Sequence, residues 1–317
     1  GFATERTNEG AWRVYALQHR GEIIAVAQPT SVRARLAAAA ALRTLAPFIV
    51  LLAACCARAV QARSLVVPAW VDGLHHSAVT QAILDAGALP ASLRPYIPVD
   101  QFAYHFGFHA QSAATAWTTG HSAADAVLWT GQALSAIAVL GAYLLAIRAG
   151  CRPLAATMAA AVPATLFTYP AYFVSWSRYT QLAGLVALPA AWTFLADATR
   201  PRSGSREVVL AAIAGGGLAL VHYRVAIFYV VGALLLGAWR VIGQRRALGS
   251  QAIRALAVAG LALVVIGPWL AGGLGRGLRA LDAAGTPWLG TQAGLETEAD
   301  WLLRQGRDEV WLLLAVL

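Results

Sequence analysis

The chain has 317 residues, of which 59% are hydrophobic and only 12% charged, with a mean hydropathy of +0.60. A soluble domain is nearer a quarter charged, so composition excludes a soluble two-domain enzyme and indicates a membrane protein. All 24 basic residues are arginine, and the net charge of +9 is read as topology rather than as a nucleic-acid surface, because multi-pass chains concentrate arginine in cytoplasmic loops.

Residues 1–43 read as a polar cytoplasmic segment with a short hairpin from Trp12–Leu17 and Glu22–Ala27. A helix needs about 20 apolar residues to cross about 30 Å of hydrocarbon. By that measure spans are expected at 44–62, 125–147, 154–174, 179–198, 208–221, 225–242 and 252–271. A second long external loop is expected at 272–309, and residues 310–317 read as the start of a further, truncated span, so that the chain is a fragment. Cys55 and Cys56 lie together in an apolar run and Cys151 stands alone, which gives no disulfide or metal framework.

The ambiguous segment is 101–120. If it does not span, fifteen arginines fall on the side of the N-terminus against nine; if it does, the count is twelve against twelve. The positive-inside rule selects the first arrangement, with a cytoplasmic N-terminus and one external loop at 63–124 carrying two surface helices. The fold expected is therefore all-α and polytopic, its active face external. Arginine-only, alanine-rich usage fits a GC-rich bacterial genome, and hence a bacterial inner membrane.

In that loop a helix entered at Asp72 puts Asp72, His76 and Thr80 on one face. Asp72 could be a general base or a metal ligand, or more plainly an N-cap. A second helix would carry Gln101, His105, His109, Ser112, Thr115 and Thr119 as a polar stripe, which must face water or a protein cavity. The i, i+4 pair His105 and His109 could bind a metal, although no third ligand is fixed and satisfied polar packing is the plainer alternative. Arg178 lies in the turn 175–181 and Arg224 in the turn 221–224. The run 208–221 is only about 21 Å long as a helix, so His222 and Arg224 are expected below the outer surface, where a phosphate would suit the guanidinium; the alternative is a snorkelling arginine. No Walker A, dinucleotide fingerprint, Gly-x-Ser-x-Gly or His-Glu-x-x-His motif is present.

A first span followed by a large external loop, an acid soon after it (Trp70-Val-Asp72), the segment Tyr104-His-Phe-Gly-Phe-His109 and the turns Trp176–Gln181 and His222–Arg224 together resemble the GT-C superfamily of integral-membrane glycosyltransferases. That group includes protein O-mannosyltransferases, aminoarabinose transferases and oligosaccharyltransferases. The resemblance covers about 44–271 as a transmembrane core. It implies a polyprenyl-phosphate sugar as donor and an acceptor of unidentified class, with transfer on the external side among membrane lipids. Asp72 would be the catalytic base, and Arg178, His222 and Arg224 would hold the donor phosphate. His75, His76, Tyr104, His105, His109, Tyr179, Gln181 and Tyr223 would line the cavity, with a divalent cation possible at Asp72, His105 and His109. Many members carry paired acids in the first loop, whereas here the next acid, Asp85, is thirteen residues on. The rival expectations are a transporter or flippase for a lipid-linked or anionic solute and a non-catalytic membrane scaffold.

Overall fold

The computed structural model describes residues 1–98, 102, 104–165, 168–243 and 248–274. The expected loop at 272–309 lies almost entirely outside the described residues, as does the apolar run at 310–317. The chain divides into two compact units, Gly1–Ile49 and the remainder from Val50.

In the first unit the hairpin is one half of a three-stranded antiparallel meander, β1 (Phe2–Thr7), β2 (Gly10–His19) and β3 (Glu22–Pro29). Arg20 and Gly21 both have positive φ, 51° and 86°, the primed turn whose twist matches its flanking strands. Sequence reading missed β1, whose polar residues give no apolar run; it pairs Phe2 with Tyr15 and Thr7 with Gly10. The meander leads into α1 (Thr30–Ala62), where the Thr30 hydroxyl donates to the Ala11 carbonyl at 2.9 Å. Helix α1 starts well before the expected span at 44 because 30–43 is alanine-rich.

The described residues of the second unit are helical apart from their connections: α2 (Trp70–Ala86), α3 (Gly107–Thr119), α4 (Ala123–Ile137), α5 (Val139–Arg148), α6 (Pro153–Thr165), α7 (Thr168–Ser175), α8 (Tyr179–Ala198), α9 (Ser205–Val221), α10 (Tyr223–Gly243) and α11 (Leu248–Trp269), followed by a π turn at Leu270–Leu274. Among the described residues six helical stretches are long and apolar enough to cross a membrane: Thr30–Ala62, Ala123–Arg148, Pro153–Ser175, Tyr179–Ala198, Tyr223–Ile242 and Gly249–Gly272. The protein is thus a multi-pass membrane protein. Helix α9, with 17 residues, falls short of that length.

Helix α8 is apolar on all sides and so takes the centre, burying Tyr179, Leu182, Leu188 and Ala191 completely or nearly so. Glycines let its neighbours approach. A Cβ on Gly131 would lie 2.4 Å from the Tyr179 ring, and one on Gly232 would lie 2.2 Å from Trp192. These contacts also fix direction. Gly131 lies beside Tyr179, Gly141 beside Pro189, and Arg148 pairs with Asp197, so α4 and α5 run parallel to α8. Helix α10 does the same, with Gly184 against Val225 and Arg240 bonded to Thr199. Helix α9 runs the other way, since Ser203 before it donates to Ala198 O at the end of α8 while Val225 just after it lies beside Gly184 near the start of α8. Helix α11 runs parallel to α9, with Gly216 abutting Val265 and Arg254 donating to Ser203 at 2.8 Å.

The bundle therefore has two ends. One gathers Arg148, Arg152, Arg200, Arg202, Arg206, Arg240 and Arg254. The other gathers the turns between α7 and α8 and between α9 and α10, together with α2 and α3. The segment 101–120 does not cross: α3 has 13 residues, about 20 Å at 1.5 Å per residue. Helices α2 and α3 share a cluster of their own, Val79, Ile83 and Ala113 packing with Leu93 and Phe102 of the loop between them, while Phe108 of α3 joins the core around α8.

Candidate functional site

The site is built by three connections at the second end. The first is the entry to α2. Ala69 precedes the helix with extended geometry and makes no side-chain cap, so Asp72 is not the N-cap; it sits one turn in, where the helix dipole favours a carboxylate. The expected face is present: His76 and Thr80 are buried below a half-exposed Asp72.

The second connection joins α7 to α8. Ser177 NH donates to Val174 O at 3.1 Å and Arg178 NH to Phe173 O at 2.8 Å, the paired bonds of a Schellman turn. That turn needs a left-handed residue, usually glycine; here buried Ser177 takes it at φ 52°. It delivers Arg178 to Asp72. Arg178 Nε lies 4.0 Å from Asp72 Oδ2, with side chains 18% and 44% exposed. The guanidinium also sits over Tyr172 and Trp176, 5.4 and 5.6 Å from the ring centroids. Partial burial raises the Asp72 carboxyl above its ordinary range, against the lowering influence of Arg178 and then His75.

The third connection is the short α9–α10 junction, which presents His222, Tyr223 and Arg224. The loop before α3 is tied directly to it, with Phe106 NH donating to Leu220 O at 3.0 Å. Gly107 makes this approach possible, since a Cβ there would lie 2.6 Å from Val221 Cγ2. Trp269, at the end of α11, donates to Tyr104 O at 3.3 Å. The Tyr104 ring then packs on His105 at 3.8 Å, and His105 meets His222 at 4.7 Å. His222 stacks parallel to Tyr223, whose hydroxyl accepts from Arg224 Nε at 3.2 Å.

Four of the seven histidines thus meet. His76 Nδ1 and His109 Nε2 are 3.0 Å apart, one donating and one accepting, and His105 and His222 form the adjoining pair. Burial drives all four toward the neutral form. The His76 and His222 imidazoles are pushed down to about 3, helped by His75 for the former and Arg224 for the latter. His105 and His109 also fall well below the ordinary value. Burial pushes the Tyr104 hydroxyl up to about 12, against a hydrogen bond with Thr180, and it lies within electrostatic reach of both Asp72 and Arg224.

Several expectations change. His105 precedes α3 rather than lying on it, so it is not an i, i+4 helical partner of His109. His109 pairs with His76 instead, and among the described residues no three His, Cys, Asp or Glu side chains form a group that could hold a metal ion. Tyr179 is fully buried core against Gly131, not cavity lining. Gln181 is buried, His75 and Tyr223 are exposed, and Gln101 lies outside the described residues. Asp72, Tyr104, His105, Arg178, His222 and Arg224 do gather round one end. Reading the sequence missed Ser177, Thr180 and Trp269, whose roles depend on partners distant in the chain.

A family model described as a family of unknown function, DUF6541, matches residues 10–314. The chain belongs to that family. The match includes the whole site described above. No curated protein and no solved structure matches the chain.

Proposed function

We propose that the protein is a membrane glycosyltransferase that moves a sugar from a polyprenyl-phosphate donor to an acceptor hydroxyl at the end of the bundle bearing Asp72. The observation that carries this reading is the half-buried Asp72–Arg178 pair, 4.0 Å apart, beside Tyr104 and Arg224. A carboxyl raised by burial is a better proton acceptor at neutral pH than an exposed one. The acceptor oxygen attacks the anomeric carbon while its proton passes to Asp72. The anomeric C–O bond breaks, and the lipid phosphate leaves with the electron pair, its charge met by Arg178 and Arg224. His222 is neutral, so it serves as an N–H donor to phosphate rather than as a charge. The arginines clustered at the opposite end support a cytoplasmic position for that end and an external one for the site.

The test is transfer from a radiolabelled polyprenyl-phosphate sugar by the full chain in lipid nanodiscs. Asp72→Asn should lower the rate by about 10²-fold or more, as expected for a general base. Undiminished transfer by the variant would remove Asp72 from the reaction, and movement of donor across the bilayer without transfer would replace the proposal with a flippase.

A further inference from the structure

Beside Arg178, the partner of Asp72, stand two tryptophans that the reaction above does not use. Trp70 and Trp176 meet at a centroid distance of 4.6 Å, yet they remain 59% and 36% exposed. Tyr172 continues the group, 6.1 Å from Trp176, and Arg178 lies over both Tyr172 and Trp176. The shelf is held by unusual backbone on both sides. Trp70 has φ 66°, a left-handed conformation that a bulky residue adopts rarely. The turn that imposes it is locked by Pro68 against Gly73, where a Cβ would lie 2.7 Å from Pro68 Cβ. Ser177, next to Trp176, is left-handed as well.

Tryptophans at span ends often anchor a protein at the lipid interface. An anchor requires neither left-handed backbone nor a guanidinium that rests on the rings and faces a carboxylate. An exposed aromatic group joined to one donor and, through it, to one acceptor matches a sugar ring, which has an apolar C–H face and a rim of hydroxyls. We propose that Trp70 and Trp176 form a carbohydrate-binding platform, on which a sugar ring stacks and directs a hydroxyl toward Asp72 and Arg178. This rests on the glycosyltransferase reading for its purpose but not for its measurement, because binding is read without transfer.

The experiment is saturation-transfer NMR on the full chain in nanodiscs, free of sugar detergents. The probes are methyl α-mannopyranoside, methyl β-glucopyranoside, methyl β-galactopyranoside and methyl α-arabinofuranoside. At least one should receive saturation at its ring C–H protons, and Trp176→Ala should weaken its binding about three- to tenfold, the scale of one aromatic contact. Trp70→Gly is the folding control within the site: glycine accepts the left-handed backbone, so melting temperature should hold while sugar binding falls equally. Trp239→Ala, on an exposed tryptophan near the far end of α10, should change nothing. Competition by a polyprenyl-phosphate sugar but not by bare polyprenyl phosphate assigns the ring to the donor; competition by neither assigns it to the acceptor. Absence of saturation on every glycoside, or saturation that survives both Trp70→Gly and Trp176→Ala, overturns the platform. Sugar binding that persists in a protein without transferase activity would leave the platform standing and remove the enzyme.

Discussion

Lowering the pH from 7.5 to 5 should destabilise the bundle end that carries the histidines. His76, His105, His109 and His222 are buried and held neutral, with His76 and His222 pushed from an ordinary 6.5 to about 3. When this end opens to water each imidazole regains its ordinary value and takes up a proton below pH 6.5. The open state therefore binds more protons, and stability that is complete above pH 6.5 is lost progressively as pH falls toward 3. At pH 5 one such histidine costs about 2 kcal/mol, from 1.36 kcal/mol per pH unit over the 1.5 units below its ordinary value. That corresponds to roughly 5 °C in Tm for one group; the coupled set loses more than one group but less than four. Asp72 acts in the opposite sense, since burial raises its carboxyl, but one half-buried acid does not outweigh four buried imidazoles. The assay is thermal melting in nanodiscs at pH 7.5, 6 and 5, alongside the double variant His76→Gln with His222→Gln, which should roughly halve the pH dependence. A Tm that is flat over this range, or a drop unchanged in the double variant, refutes the reasoning.

Gly131→Ala forces a methyl into the Tyr179 ring and should cost about 1–3 kcal/mol in the same melts, whereas Gly217→Ala, with open space around it, should be neutral or slightly stabilising. Arg178→Lys keeps the charge but loses the planar contact with Tyr172 and Trp176, so polyprenyl-phosphate sugar transfer should fall about two- to fivefold. A larger loss in Arg178→Ala would isolate the charge; equal rates in all three proteins would show that Arg178 does not touch the reaction. Arg240→Gln removes donors from the Ala196 and Thr199 carbonyls at the end of α8 and should lower stability by about 1–2 kcal/mol without changing transfer at the opposite end.

The long apolar helices were legible because their composition alone demands burial in lipid or protein; α8 was read at its observed bounds, 179–198. The face of Asp72, His76 and Thr80 was legible for the same local reason, the 3.6-residue period. The stripe through His105 was not, because periodicity cannot reveal that Gly107 is pulled against Val221 and the helix begins only there. Ser177 was invisible for a related reason. The Schellman turn usually announces itself by glycine, and this one uses a serine held left-handed by its neighbours. Trp269 bonds to Tyr104 across 165 positions of sequence, a distance over which no local pattern carries information.

The shortness of α9 connects these particulars. Its 17 residues span about 25 Å, against about 30 Å for the 20 residues of α8. The last carbonyls of α9 have no partner within the helix. The Tyr104–Phe108 segment covers this end, donating Phe106 NH to Leu220 O and laying His105 against His222. The same insertion brings His109 to His76 and Tyr104 into reach of Asp72 and Arg224. This one insertion thus gathers residues from α2, the loop before α3 and the α9–α10 junction into one polar end. Extending α9 by a turn would expel the loop and separate Asp72 from Arg224, whereas shortening a peripheral lipid-facing helix would leave that geometry in place.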